Sequence, residues 1–235
     1  MIRPVRIWME GREHRLRDLA AAPFRRPAGG RLEIEIGFGK GRFLLAQAMA
    51  RPETTFLGIE TALPYWRITN ERAARRGLRN LITVCGDALY LLAACLDPAS
   101  ADAVHVYFPD PWPKVRHRKR RLFDAATVDL VVGVLAPGGV LFFATDHADY
   151  GAAVEEVLAG YPMTAVRRVE GRWPDGARTN YEAKYEREGR PILRLEVRRL
   201  AAAGAALLHP DGRVAVTAGC APPRPPLGGA DAAVE

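Results

Sequence analysis

An apolar run that breaks into three glycines within five residues and resumes as an amphipathic helix leaves few folds open. Leu32-Glu33-Ile34-Glu35-Ile36 reads as a strand, Gly37-Phe38-Gly39-Lys40-Gly41 as a tight turn, and Arg42 to Ala50 as a helix. Glycines let the backbone turn sharply and approach a ligand with no Cβ in the way. Strand, glycine turn and helix in that order open a doubly wound α/β sheet, which binds its ligand outside the carboxyl ends of the strands. A dinucleotide-binding turn is spaced G-x-G-x-x-G. Here position 42 is Arg and the spacing is G-x-G-x-G, which disfavours an NAD-dependent oxidoreductase.

The pattern then repeats. Thr55 to Glu60 reads as a second strand, ending in an acid 23 residues after Gly37. A carboxylate there can accept hydrogen bonds from both ribose hydroxyls of a nucleoside. Tyr65 to Gly77 reads as a helix with Gly77 as its stop, and Leu81 to Val84 as a third strand followed by Asp87. Buried parallel strands have little reason to carry carboxylates. Glu35, Glu60 and Asp87, at or just past the ends of successive strands, therefore form one set. For Glu35 the competing reading is period-two alternation, which would put Glu33 and Glu35 together on an exposed face.

Ala103 to Phe108 reads as strand four, and it stops at three prolines in five residues: Pro109, Pro111 and Pro113. Proline fixes its own φ and pushes the residue before it to extended geometry, so Asp110 and Trp112 are expected on a stiff, extended loop at the sheet's ligand-binding edge. A cationic block follows at once, comprising Lys114, Arg116, Arg118, Lys119, Arg120 and Arg121 with His117. Leu122 to Leu135 reads as a helix closed by Pro137-Gly138-Gly139, and Val140 to Thr145 as strand five with Asp146 at its end. Ala148 to Gly160 is a helix, and Met163 to Val169 and Pro191 to Arg199 are the last two strands.

The net charge is +7 and residues 1–30 are rich in arginine, which favours a polyanionic partner. Apolar residues at 49% and charged residues at 26% match a soluble globular chain. The three cysteines, Cys85, Cys95 and Cys220, have no metal-ligand spacing and an odd count, which fits a reducing cytoplasm rather than a disulfide framework. No apolar run approaches the roughly 18 residues of a membrane span. Three parts are expected: a basic arm over 1–30, a catalytic domain over 31–200, and a low-complexity Ala/Pro/Gly-rich tail over 201–235.

Phe-Pro-Asp-Pro-Trp-Pro-Lys over 108–114, with Arg-His-x-Lys-Arg-Arg over 116–121, resembles the hallmark of the tRNA (guanine-N7-)-methyltransferase family. The resemblance covers roughly Leu32 to Arg199 and implies a Rossmann-like, seven-stranded methyltransferase fold, a mostly parallel sheet with an antiparallel last strand. It implies S-adenosylmethionine as methyl donor, no metal, and transfer to N7 of the variable-loop guanine of tRNA, by a monomer or homodimer. The G-x-G-x-G spacing with Glu35 just upstream suits a nucleoside ligand of that kind, and Asp87 resembles the residue that contacts the adenine amino group. By the same resemblance Glu35, Gly37, Gly39, Glu60, Asp87 and Asp110 hold the cofactor; Asp110 is also expected to be the catalytic residue, orienting the guanine and meeting the charge that develops on it. Lys114, Arg116, Arg118, Lys119, Arg120, Asp146, Thr179, Asn180, Tyr181 and Glu182 meet the tRNA. Arg178-Thr179-Asn180-Tyr181-Glu182 resembles the family's Thr-x-Phe/Tyr-Glu motif, although Thr179 and Glu182 also fit a helix capping box. One departure is Tyr107, where the family carries a small polar residue, commonly Asn. An amino-group methyltransferase and a non-catalytic RNA-binding protein are the rival readings; the second leaves the three acids without a role.

Overall fold

The computed structural model describes residues 5–15, 24, 26–112, 116–117, 121–125 and 127–201. In chain order its elements are β1 (Arg6–Met9), β2 (Arg12–Arg15), β3 (Arg31–Ile36), α1 (Arg42–Ala50), β4 (Thr54–Glu60), α2 (Leu63–Arg75), β5 (Leu81–Cys85), α3 (Ala88–Cys95), β6 (Ala101–Tyr107), α4 (Val128–Val134), β7 (Leu135–Thr145), α5 (Ala148–Ala159), β8 (Thr164–Arg168), α6 (Asn180–Arg187) and β9 (Leu193–Arg199). They build one sheet in the order β2-β1-β5-β4-β3-β6-β7-β9-β8. Strands β5, β4, β3, β6 and β7 run parallel, and β9 lies antiparallel between β7 and β8. The chain winds outward from β3 through β4 to β5, then returns to the other side of β3 as β6. That reversal opens a crevice at the carboxyl ends of β3 and β6, the place where doubly wound sheets bind ligands.

Both faces of the sheet are covered, so its strands are apolar on both sides. Leu32, Ile34 and Ile36 face one core with Val104, Val106, Leu141 and Phe143, closed by Leu91 of α3, Val131 of α4 and Val154 of α5. On the other face Phe56 and Leu81 pack under Leu44 of α1 and Trp66 of α2. Glu33 and Glu35 point into this second face and are buried, so the exposed-face reading of their alternation is wrong.

The sheet has nine strands where seven were expected, because the basic arm is part of it. Val5, Ile7 and Met9 alternate inward against the main core, and β1 pairs antiparallel along the free edge of β5, Ile7 opposite Val84. Phe24 is buried too, and Arg26 bridges to Asp102 at 3.0 Å. The helix expected over 122–135 shrinks to Val128–Val134. Thr127 donates its hydroxyl to the Leu122 carbonyl and its backbone N–H to the Asp124 carboxylate, so these residues fold as a turn. Strand β7 starts at Leu135, five residues before the expected Val140. Gly139 permits this: a Cβ there would sit 2.8 Å from the Ala136 carbonyl oxygen. Helix α3 was not foreseen, since Ala88 to Cys95 is too uniformly apolar to show a helical period. The tail over 202–235 lies outside the described residues.

Candidate active site

The crevice has a cofactor-like wall formed by β3, β4 and the glycine turn. Gly37 and Gly39 have φ of +76° and +52°, and a Cβ on either would meet nothing within 4 Å. Their conformation and the open space above them leave the backbone accessible to a ligand. Glu60, 8% exposed, accepts the Gly39 N–H at 2.8 Å on one carboxylate oxygen and the Ala62 N–H at 2.8 Å on the other. It thereby ties the glycine turn to the start of α2; Oε1 also takes the Thr61 hydroxyl at 3.5 Å, while Oε2 keeps capacity for a second donor. Asp87 is exposed and caps α3, accepting the Tyr90 N–H at 2.9 Å.

Glu35 is 3% exposed, and its Oε2 has no hydrogen-bond partner. Burial, and then the charge of Glu60, push its pKa up to about 8 against the opposing pull of the Leu44 N–H. A buried, half-satisfied carboxyl group beside an open glycine turn is a destabilising arrangement until a donor reaches it.

The opposite wall is the proline loop. Of the three pre-proline residues two are left-handed: Trp112, expected to be extended, has φ +40°, and Phe108 has φ +51°, whereas Asp110 has no positive φ. Such left-handed residues cost roughly 1–3 kcal/mol each and persist only where surroundings enforce them. The Phe108 N–H stays bonded to the Ala144 carbonyl at 2.7 Å, extending the β6–β7 pairing to the edge, after which the chain must turn over it. The Phe108 ring is fixed at 5.6 Å from Tyr185 and 6.5 Å from Tyr181. From the far side Arg121 donates Nε–H to the Pro111 carbonyl at 2.8 Å and lies over Tyr150 at 4.8 Å. Arg121 is therefore a brace for the loop rather than a phosphate ligand. Asp110 is exposed at the tip. Arg116 is exposed beside His117, whereas Lys114, Arg118, Lys119 and Arg120 lie outside the described residues.

The third wall is the start of α6. Thr179 caps it, accepting the Glu182 N–H at 3.0 Å. Glu182 is fully buried: Oε2 accepts the Arg178 N–H at 2.8 Å and Oε1 accepts Arg194 Nε–H at 2.7 Å. The geometry is thus that of the cap, with the return bond directed to Arg178, and both carboxylate oxygens are committed inside the protein. Asn180 accepts from Arg42 of α1 at 3.2 Å, which closes the crevice over the glycine turn. Tyr181 is 59% exposed, and Asp146 faces Arg190 at 3.5 Å.

Sequence reasoning missed the buried polar group beneath this wall. Arg51 holds Glu33 with two bonds of 2.6 and 2.8 Å. Burial works against the ionised Glu33, but its bonds from His105 and Arg51 prevail and bring its pKa to about 2. His105 lies 3.2 Å from Glu33 through Nε2 and 2.8 Å from the Tyr107 hydroxyl through Nδ1, and burial keeps its pKa low. Tyr107 is in turn 2.7 Å from Arg178. The signals available were a histidine inside an apolar strand and the unusual Tyr107. A cavity of about 380 Å³ opens beside this group, lined by Arg31, Gln47 and Asp102 among others. Neither the glycine turn nor the proline loop lines it, so it is separate from the crevice.

A family model described as "Putative methyltransferase" matches residues 30–195. The chain is 40% identical over 166 residues to the tRNA (guanine-N(7)-)-methyltransferase of Nitrosococcus oceani, covering 71% of this chain and 70% of that one. It is 42% identical over 173 residues to the protein of the same name from Anaeromyxobacter dehalogenans, covering 72% and 86%. Among solved structures, the 16S rRNA (adenine(1408)-N(1))-methyltransferase of Catenulisporales acidiphilia, determined with its cosubstrate SAM, superposes with a TM-score of 0.58 at 21% identity. That match covers 86% of this chain and 99% of the other, and at such identity it speaks for the fold alone.

Proposed function

Given that the chain belongs to the tRNA (guanine-N(7)-)-methyltransferase family, we propose that it transfers the methyl group of S-adenosylmethionine to N7 of a guanine in tRNA, the variable-loop guanine by family resemblance. The observation that carries the donor is the orphaned Oε2 of buried Glu35 beside the open glycine turn. Two buried acids at that turn, Glu35 and Glu60, suit a cationic nucleoside, whose positive charge favours the ionised form of Glu35. The residues present therefore fit S-adenosylmethionine: Glu35 toward its amino-acid part, Glu60 toward the ribose, Asp87 toward the base, and the Gly37 to Gly39 backbone alongside.

When bound, S-adenosylmethionine supplies an electrophilic methyl on a sulfonium centre. Guanine N7 carries a free lone pair, so no proton leaves before attack, and the protein's task is alignment more than proton transfer. Asp110, exposed on its braced loop, orients the guanine through its N–H edge and faces the positive charge that develops on the purine. Asn180 and the exposed Tyr181 flank the slot from α6, Tyr181 offering a ring on which an unpaired base can stack. Glu182 acts indirectly, by holding the α6 start in place, and Thr179 serves as its cap. Asp146, held by Arg190, borders the same mouth. Arg116, with Lys114, Arg118, Lys119 and Arg120, neutralises tRNA phosphates.

The test is incubation with bulk tRNA and methyl-labelled S-adenosylmethionine, followed by digestion to nucleosides. The expected labelled product is 7-methylguanosine. Label on an exocyclic amino group, or none on RNA, would overturn the proposal.

A further inference from the structure

We infer that Tyr107 and Arg178 are positioning residues, which hold the Thr179–Tyr181 segment at its working distance from the Asp110 loop. The inference rests on the methyltransferase reading above. Tyr107 is the last residue of β6, three before Asp110, and Arg178 directly precedes the α6 cap. The two meet inside the protein, Arg178 donating to the Tyr107 hydroxyl at 2.7 Å. The Arg178 guanidinium also lies 4.3 Å from the Trp173 ring centre, 4.8 Å from Phe142 and 5.6 Å from Phe43, and its Nε–H reaches Asp175 at 3.0 Å. Its backbone N–H is taken by Glu182 at 2.8 Å, so side chain and main chain are both pinned.

The bond directions are fixed by chemistry. An ionised Glu33 can only accept, so the proton of neutral His105 sits on Nε2 and its Nδ1 accepts from Tyr107. The Tyr107 oxygen is then free to accept from Arg178. Donation runs one way, from Arg178 through Tyr107 and His105 to Glu33, where Arg51 donates from the other side. Such aligned chains strengthen each member. Arg51 follows the last residue of α1, and Arg42, its first residue, bonds Asn180. The segment over 178–180 is therefore tied to both ends of the helix that follows the glycine turn. Without the Tyr107 hydroxyl, the buried ends of Arg178 and His105 lose a partner, while Asp175, 41% exposed, still draws Arg178 outward. Thr179 and Asn180 would move with it. A shift near 1 Å can cost about 10²-fold in rate. The bonds by which Glu60 holds the glycine turn and the start of α2 involve neither residue, so cofactor affinity should change far less than the rate.

The experiment compares wild type, Tyr107→Phe, Arg178→Met and the double variant in single-turnover methylation at saturating tRNA and labelled S-adenosylmethionine, with calorimetric cofactor affinity alongside. Wild type must first label tRNA; its failure would sink the methyltransferase reading and not the clamp. The expected result is a rate about 10- to 100-fold lower in each single variant, cofactor affinity within about twofold of wild type, and a double variant no slower than Arg178→Met. A wild-type rate in Tyr107→Phe would overturn the inference. So would cofactor affinity falling in step with the rate, the mark of a merely structural role. Should Arg178→Met fail to fold, Tyr107→Phe decides, since it removes one oxygen; a Tyr107→Phe protein that also failed to fold would assign the pair to stability and refute positioning.

Discussion

Replacing Glu35 with Gln should make the ligand-free protein more stable at alkaline pH while weakening its hold on S-adenosylmethionine. Glu35 has its pKa raised from 4.5 to about 8, chiefly by burial and then by Glu60. For an acid raised in this way the folded state keeps the proton longer than the unfolded chain. The group costs nothing below 4.5, subtracts stability as pH rises, and exerts its full penalty above about 8. Each pH unit in that window costs about 1.4 kcal/mol, so at pH 8 the Gln variant should be more stable on the order of 4 kcal/mol. Other shifted groups act elsewhere: His105, lowered by burial, affects stability only as pH falls below its ordinary 6.5, and Glu33, held near 2, only below 4.5. Urea unfolding between pH 6.5 and 8 therefore isolates Glu35, and wild type should lose about 2 kcal/mol across it while the variant stays level. A cationic ligand beside Glu35 favours its ionised form, so cofactor binding near pH 7 should release a proton and tighten as pH rises toward 8. Titration calorimetry in two buffers of different ionisation enthalpy measures that proton. Parallel pH slopes in wild type and variant, or no proton release, would refute the reasoning.

Asp110→Asn keeps the shape but loses the charge facing the purine, and should lower single-turnover methylation by about 10²–10³-fold with little change in tRNA affinity; a wild-type rate would remove Asp110 from catalysis. Glu182→Ala breaks a fully buried pair with Arg194, and should destabilise the fold by about 3 kcal/mol, the low end for such pairs because Arg194 keeps Glu186. An unchanged melting curve with weakened tRNA binding would instead make Glu182 a direct substrate contact. Neutralising Arg118, Lys119 and Arg120 together should flatten the salt dependence of tRNA binding by about 0.7–0.9 in log–log slope per lost phosphate contact, and leave cofactor affinity alone. A slope equal to wild type would mark the block as a solvated face.

What the sequence determined by itself is what local spacing controls. The glycine turn after Leu32–Ile36, the acids at Glu35, Glu60 and Asp87, and helix α1 with its bounds follow from short-range sterics and apolar period, and the structure keeps them in register. The proline loop was equally legible as a stop to β6, but its conformation was not. Proline's local preference called for extended residues before it, and the Phe108 and Trp112 dihedrals went left-handed because ring contacts to α6 and the Arg121 brace outweigh that preference. The β1–β2 hairpin was hidden for a similar reason: four-residue strands rich in arginine carry little signal until the open edge of β5 offers them partners. By sequence Glu182 belongs to the substrate contacts, with the cap as the alternative, and Arg194, twelve residues on and brought alongside by β9, bonds its carboxylate inside the protein. The bond from Arg178 to Tyr107 spans 71 residues and that from His105 to Glu33 spans 72. Pairings at that distance are set by which strands lie side by side, so they belong to the tertiary structure and could not be read along the chain.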